Sequence, residues 1–154
     1  MMRCSVVLIA ALLAVPFNTF AGPKEDAQAV FDKFLTSFTA ANAEEVVSLF
    51  TADALFWGTT MPNLVTTPDG IRQYFVAAFG TPARTPGAVK ATSLGTSALV
   101  LSDTTVLISG MWQVEWVADG KPNLLPLRVS LVVTKRGDRW LIAQFHNSPR
   151  PRPQ

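Results

Sequence analysis

Cysteine is nearly absent from this sequence: its single copy, Cys4, lies ahead of an uninterrupted apolar run from Val6 to Val15. Histidine and tyrosine also occur once each, as His146 and Tyr74. Arg3, the apolar run, Pro16 and the small-residue end at Thr19-Phe20-Ala21 have the layout of a secretory signal peptide over residues 1–21, with cleavage expected after Ala21. A run of roughly ten apolar residues is about half of what a spanning helix needs, and a lipoprotein cysteine would follow the run rather than precede it. The mature protein is therefore expected to be periplasmic or secreted, off the membrane, and free of cysteine. That excludes disulfides, a thiol nucleophile and cysteine-based metal sites. With one histidine left, a zinc site would need mainly carboxylates, so neither a metal nor another cofactor is expected.

Charge is also sparse, at 16% of 154 residues against 49% hydrophobic. This much apolar material makes one sizeable core, while the chain is too short for two ordinary domains. Without Arg3 the formal balance is +1. So even a balance leaves no electrostatic footprint for nucleic acid.

What is there falls into two periods. Val30, Phe31, Phe34, Leu35 and Phe38 recur at three- and four-residue spacing and predict an amphipathic helix over about 24–41. Asn42 as N-cap, Glu44 and Glu45 at the positive end, and Val46, Val47, Leu49 and Phe50 predict a short second helix over about 43–50, followed by a strand at 54–57. Thr67-Pro68-Asp69 starts a third helix that carries Ile71, Tyr74, Phe75, Ala78 and Phe79 and stops near Gly80. Further on, Val106, Ile108, Gly110, Trp112, Val114 and Trp116 alternate along one strand face, with Leu107, Met111 and Val117 on the other. Asp119-Gly120 and Gly137-Asp138 are turn dipeptides separating that strand from Leu127–Lys135 and Arg139–Asn147. The expected fold is α+β: three N-terminal helices packed as a cone on a curved antiparallel sheet over 22–148. An extended Pro/Arg tail over 149–154 follows, because alternate prolines lack an amide donor.

Three stretches together carry a resemblance. They are Phe50-Thr51-Ala52-Asp53-Ala54, then Trp57-Gly58-Thr59 with Asp69-Gly70-Ile71-Arg72-Gln73-Tyr74-Phe75, and finally Arg128-Val129-Ser130, Gly137-Asp138-Arg139-Trp140 and Phe145-His146-Asn147-Ser148. Over about residues 24–150 the chain resembles the nuclear transport factor two-like, or SnoaL-like, superfamily of cystatin-like cones. Within it, the likeness is to the calcium/calmodulin-dependent protein kinase II association domain and its stand-alone bacterial relatives. The resemblance implies a cone with an internal pocket and a homodimer, or larger ring, formed through the sheet. It does not imply a kinase, since the phosphate-gripping glycine loop and the catalytic and metal-binding Asp motifs are missing.

The candidate site follows from the two-residue period of the last strands. Trp140, Ile142, Gln144, His146 and Ser148 share one face, and Arg128 and Ser130 share one on the neighbouring strand. If those faces line the pocket, Arg128, Ser130, His146 and Ser148 suit a small organic, anionic or carbonyl-bearing ligand, with Arg128 as charge partner and His146 as donor or general base. The plainer alternative is that they satisfy backbone and hydroxyl groups inside the cone. Trp57, Tyr74 and Trp112 could roof the pocket or simply fill the core. The aspartate base of steroid isomerases and the His-Asp pair of dehydratases, which the superfamily implies, find only Asp53 and Glu115 as candidate acids. Two function classes stay open: a small-molecule-binding, weakly catalytic cone, and a non-catalytic dimerisation module.

Overall fold

The computed structural model describes residues 22–80 and 88–151; the expected signal segment and the end of the tail lie outside them. Helix α1 (Pro23–Thr39) begins at Gly22 with proline in its first turn and Glu25 and Asp26 at its positive end. Its apolar stripe, Ala27, Val30, Phe31, Phe34, Leu35 and Phe38, is buried. Asn42 caps α2 (Ala43–Val47) by accepting the Glu45 amide at 3.0 Å, and Thr67 caps α3 (Pro68–Phe79) by accepting that of Gly70 at 3.2 Å.

Five strands form one sheet in the order β1-β5-β4-β3-β2: β1 (Phe50–Trp57), β2 (Val89–Ser102), β3 (Thr105–Ala118), β4 (Lys121–Arg136) and β5 (Arg139–Pro149). Both expected turns join hairpins. Asp119 and Gly120 adopt φ 52° and 70°, the positive pair that a two-residue turn needs. Among the described residues, no helix is long and apolar enough to cross a membrane.

Three expectations need correction. There is one long N-terminal helix rather than three packed together, for α2 has five residues and α3 comes after β1, packing on α2 and β1. The chain leaves α2 early because Leu49 and Phe50 are taken up by β5: Ile142 donates its amide to the Leu49 carbonyl, and Phe50 pairs with Ile142. The sheet is mixed, since β1 runs parallel to β5. Strand β2 is new relative to the sequence reading; its Ser, Thr, Ala and Gly content gives little apolar alternation, and it forms an edge. At the other end of the chain, β5 reaches Pro149, and Arg150 donates its amide to Pro126.

The inner face of the sheet meets α1. Val106, Ile108, Trp112 and Val114 of β3, alternate residues Leu127 to Val133 of β4, and Ile142 and Phe145 of β5 are buried there. Phe34 is the hub of this core, 5.1 Å from Phe145, 5.7 Å from Trp112 and 6.0 Å from Phe75 between ring centroids.

Candidate functional site

Beyond the aromatic hub, toward α3 and the loop after β1, the core opens into a cavity of about 510 Å³. Its walls are mostly apolar, with Phe34, Phe38, Met61, Val65, Leu125 and Leu127 among them. Such a size lies within the range of roughly 300–1,000 Å³ usual for small-molecule sites.

The loop on one side is fixed by the backbone. Phe56 and Val65 exchange amide–carbonyl bonds of 2.9 and 3.0 Å, and the Trp57 indole donates to the Met61 carbonyl at 3.1 Å. Gly58 has a steric reason: a Cβ there would lie 2.5 Å from the Tyr74 ring, so its absence lets α3 seat that ring against the loop. Arg72, two residues earlier on α3, bridges Glu44 of α2 at 2.8 Å and Asp69 at 2.8 Å. The hydrogen bond from Arg72 holds the Glu44 carboxyl below its ordinary range.

The polar end of the cavity is a chain of four side chains whose direction is dictated by one of them. An indole can only donate, so the Trp112 Nε1–H, 3.0 Å from Asn147, obliges the amide to present its oxygen there. Asn147 Nδ2 then faces Thr59 and donates to its Oγ1 at 2.6 Å. The Thr59 backbone N–H donates in turn to the Tyr74 hydroxyl at 3.2 Å. Each oxygen in the chain accepts, and among the described residues no acceptor takes the hydroxyl protons of Thr59 and Tyr74 or the second Asn147 N–H. Apart from Tyr74, no described residue lining the cavity carries a titratable side chain.

The site residues expected from sequence are divided between two faces. Tyr74 and Trp112 line the cavity. Arg128, Ser130, His146 and Ser148 do come together, but on the outer face: Arg128 pairs with Ser148 and Ser130 with His146, while their sequence neighbours Leu127, Val129, Phe145 and Asn147 point inward and are buried. Trp57 is beside His146, ring centroids 6.3 Å apart, and is 43% exposed. Ser130 is bonded to Ser109 at 2.6 Å.

A bulge in β5 separates His146 from Ile142. Ile142 pairs with Val133 and Gln144 with Val132, leaving Ala143 as the extra residue, so Ile142 points in while Gln144 and His146 point out. Of the candidate acids, Asp53 is exposed and 3.6 Å from Arg136, and Glu115 accepts from Gln113 at 2.8 Å; neither lines the cavity. Sequence reasoning missed Asn147 and Thr59. The available signal was Trp112: a tryptophan in phase with buried strand residues needs an acceptor for its N–H.

The model of the SnoaL-like domain matches residues 27–152. The chain belongs to the SnoaL-like domain family. No curated protein matches the sequence. Among solved structures, it is similar to a protein from Xanthomonas campestris described as a calcium/calmodulin-dependent protein kinase II association domain. The TM-score is 0.73 and the identity 21%, with 96% of this chain and all of that one covered. A ketosteroid isomerase-like protein from Erwinia carotovora atroseptica gives 0.69 and 16%, covering 86% of this chain and 100% of that one. A protein from Novosphingobium aromaticivorans described as a scytalone dehydratase gives 0.70 and 12%, covering 82% and 83%. At these identities the solved structures establish the fold alone.

Proposed function

We propose that this SnoaL-like protein binds a small, mostly apolar molecule in the cavity between α1, α3 and the inner face of the sheet. The observation that carries the reading is a cavity of about 510 Å³ with mostly apolar walls and, at one end, the hydrogen-bonded set Trp112, Asn147, Thr59 and Tyr74, buried at Trp112 and part-buried at Thr59 and Tyr74. Apolar space with a few polar groups converging at one end is the usual make-up of a small-molecule site. Binding is favoured over acid–base turnover because the described lining residues supply donors and neither carboxylate nor imidazole. Leu125, half-buried in the wall, gives the test. A Leu125→Trp variant should fill the space and abolish saturable binding of small aromatic probes measured by calorimetry, while unfolding cooperatively near the parent. Undiminished binding by the folded variant would sink the cavity reading.

A second reading concerns the outer face, where one row across all five strands runs Leu55, Gln144, Val132, Leu107, Leu99, and Leu55 and Leu99 are exposed. An apolar sheet face open to water favours self-association, and a two-fold homodimer is its commonest form. The association-domain description of the Xanthomonas neighbour is in keeping with this. In the same reading, residues 1–21 direct export and are removed. Light scattering and mass spectrometry on the exported protein should give a dimer of chains beginning at Gly22; a monomer, or a chain retaining Met1, would count against the respective half.

A further inference from the structure

Granting that the cavity binds a small molecule, we infer the chemical class of that molecule: an uncharged compound whose apolar body carries one hydrogen-bond acceptor, such as a ketone, ester or amide carbonyl, aimed at Tyr74 and Thr59. The inference begins at Trp112, whose donor-only indole sets the orientation of the Asn147 amide, while the Thr59 backbone N–H is a donor by nature. Were the Asn147 amide turned the other way, two N–H groups would face each other in the core at 1% exposure of Trp112. With the orientation fixed, Asn147 spends one proton on Thr59, and the Thr59 N–H occupies the Tyr74 oxygen. The protons at this end with no acceptor among the described residues are the Tyr74 phenol proton, the Thr59 hydroxyl proton and the second Asn147 amide proton.

A ligand acceptor meets three protons at that end, whereas a ligand donor meets only the remaining lone pair of each hydroxyl, on oxygens that already accept one hydrogen bond. A carbonyl oxygen, with two lone pairs, accepts from Tyr74 and Thr59 together. Charge decides between a carbonyl and a carboxylate. No described residue lining the cavity is cationic, and Arg128 is on the opposite side of the sheet. A carboxylate moved into this space loses hydration that neutral donors replace only in part, whereas a carbonyl loses far less. The anionic ligand considered from the sequence depended on Arg128 entering the pocket, and that condition is not met.

Three probes with one skeleton separate the alternatives: acetylnaphthalene, ethylnaphthalene and naphthoate, titrated into the parent protein at neutral pH by calorimetry or equilibrium dialysis. The ketone should bind roughly tenfold tighter than the ethyl compound, the worth of one or two buried neutral hydrogen bonds, and naphthoate should bind weakest. In Tyr74→Phe, which keeps the ring, the ketone should fall toward the ethyl compound while binding of the latter persists and reports an intact cavity. Equal binding of ketone and ethyl compound by the parent overturns the acceptor inference and leaves the cavity reading standing. Tightest binding of naphthoate overturns neutrality. Failure of all three probes to bind overturns the cavity reading and this inference with it. The comparison on the parent decides the matter even if Tyr74→Phe does not fold.

Discussion

Replacing Gly110 with alanine is expected to destabilise the domain more than any exposed substitution and more than alanine at Gly95. Gly110, in the middle of β3, lies opposite Thr96, close to the bulge of β2 between Ser93 and Gly95. A Cβ on Gly110 would lie 2.7 Å from Thr96 Cα and 2.9 Å from its Cγ2, and would collide with the Gly95 carbonyl oxygen. Two of these three are backbone atoms, so no rotamer change relieves the contact; β2 itself must move. Overpacking of side chains costs about 1–3 kcal/mol, and a clash against backbone belongs at or above the upper end. Gly95 is the control. Its φ of 116° is unfavourable for alanine, but nothing lies within 4 Å of the added carbon. Denaturant midpoints of the two variants should fall in that order, and a Gly110→Ala midpoint equal to the parent's would refute the steric account of the bulge.

Phe34→Ala should lose about 3–5 kcal/mol, the usual cost of truncating a buried phenylalanine. Phe34 is 1% exposed and meets five other rings, those of Phe31, Phe38, Phe75, Trp112 and Phe145. Helix, sheet and α3 are joined through this one side chain. For a domain of this size the melting temperature should drop on the order of 10 °C in a calorimetric scan. Because Phe34 is also part of the cavity wall, any probe bound in the folded variant should have a changed affinity. A drop of only a degree or two would mean that the aromatic cluster is not the centre of the core.

Much of this architecture can be read from local sequence. The spacing of Val30, Phe34 and Phe38 fixes the buried stripe of α1, Thr67-Pro68 fixes the start of α3, and Asp119-Gly120 fixes the β3–β4 turn, because each is decided by contacts within a few residues. The length of α2 and the parallel placement of β1 are decided by pairing with β5, some ninety residues further along the chain, so no local pattern announces them. The facing of His146 was lost for a related reason. A period of two assigns residues to two faces but not to inside and outside, and β3 is apolar on both. The extra residue at Ala143 then breaks the count between Ile142 and His146, and the bulge is visible only once Val132 and Val133 are paired. Trp112 was the one residue able to orient the site from sequence, through the unmet need of its indole.

Four tryptophan indoles make the location of binding directly measurable, because Trp112 borders the cavity and Trp57 stands beside His146 on the outer face. Two-dimensional NMR of the labelled protein, with the indole signals assigned by Trp→Phe substitution, should be recorded during titration with acetylnaphthalene. The Trp112 indole and the Asn147 side-chain amide should shift together and saturate while Trp57 and the His146 ring stay in place; shifts at Trp57 and His146 with Trp112 unmoved would contradict the account.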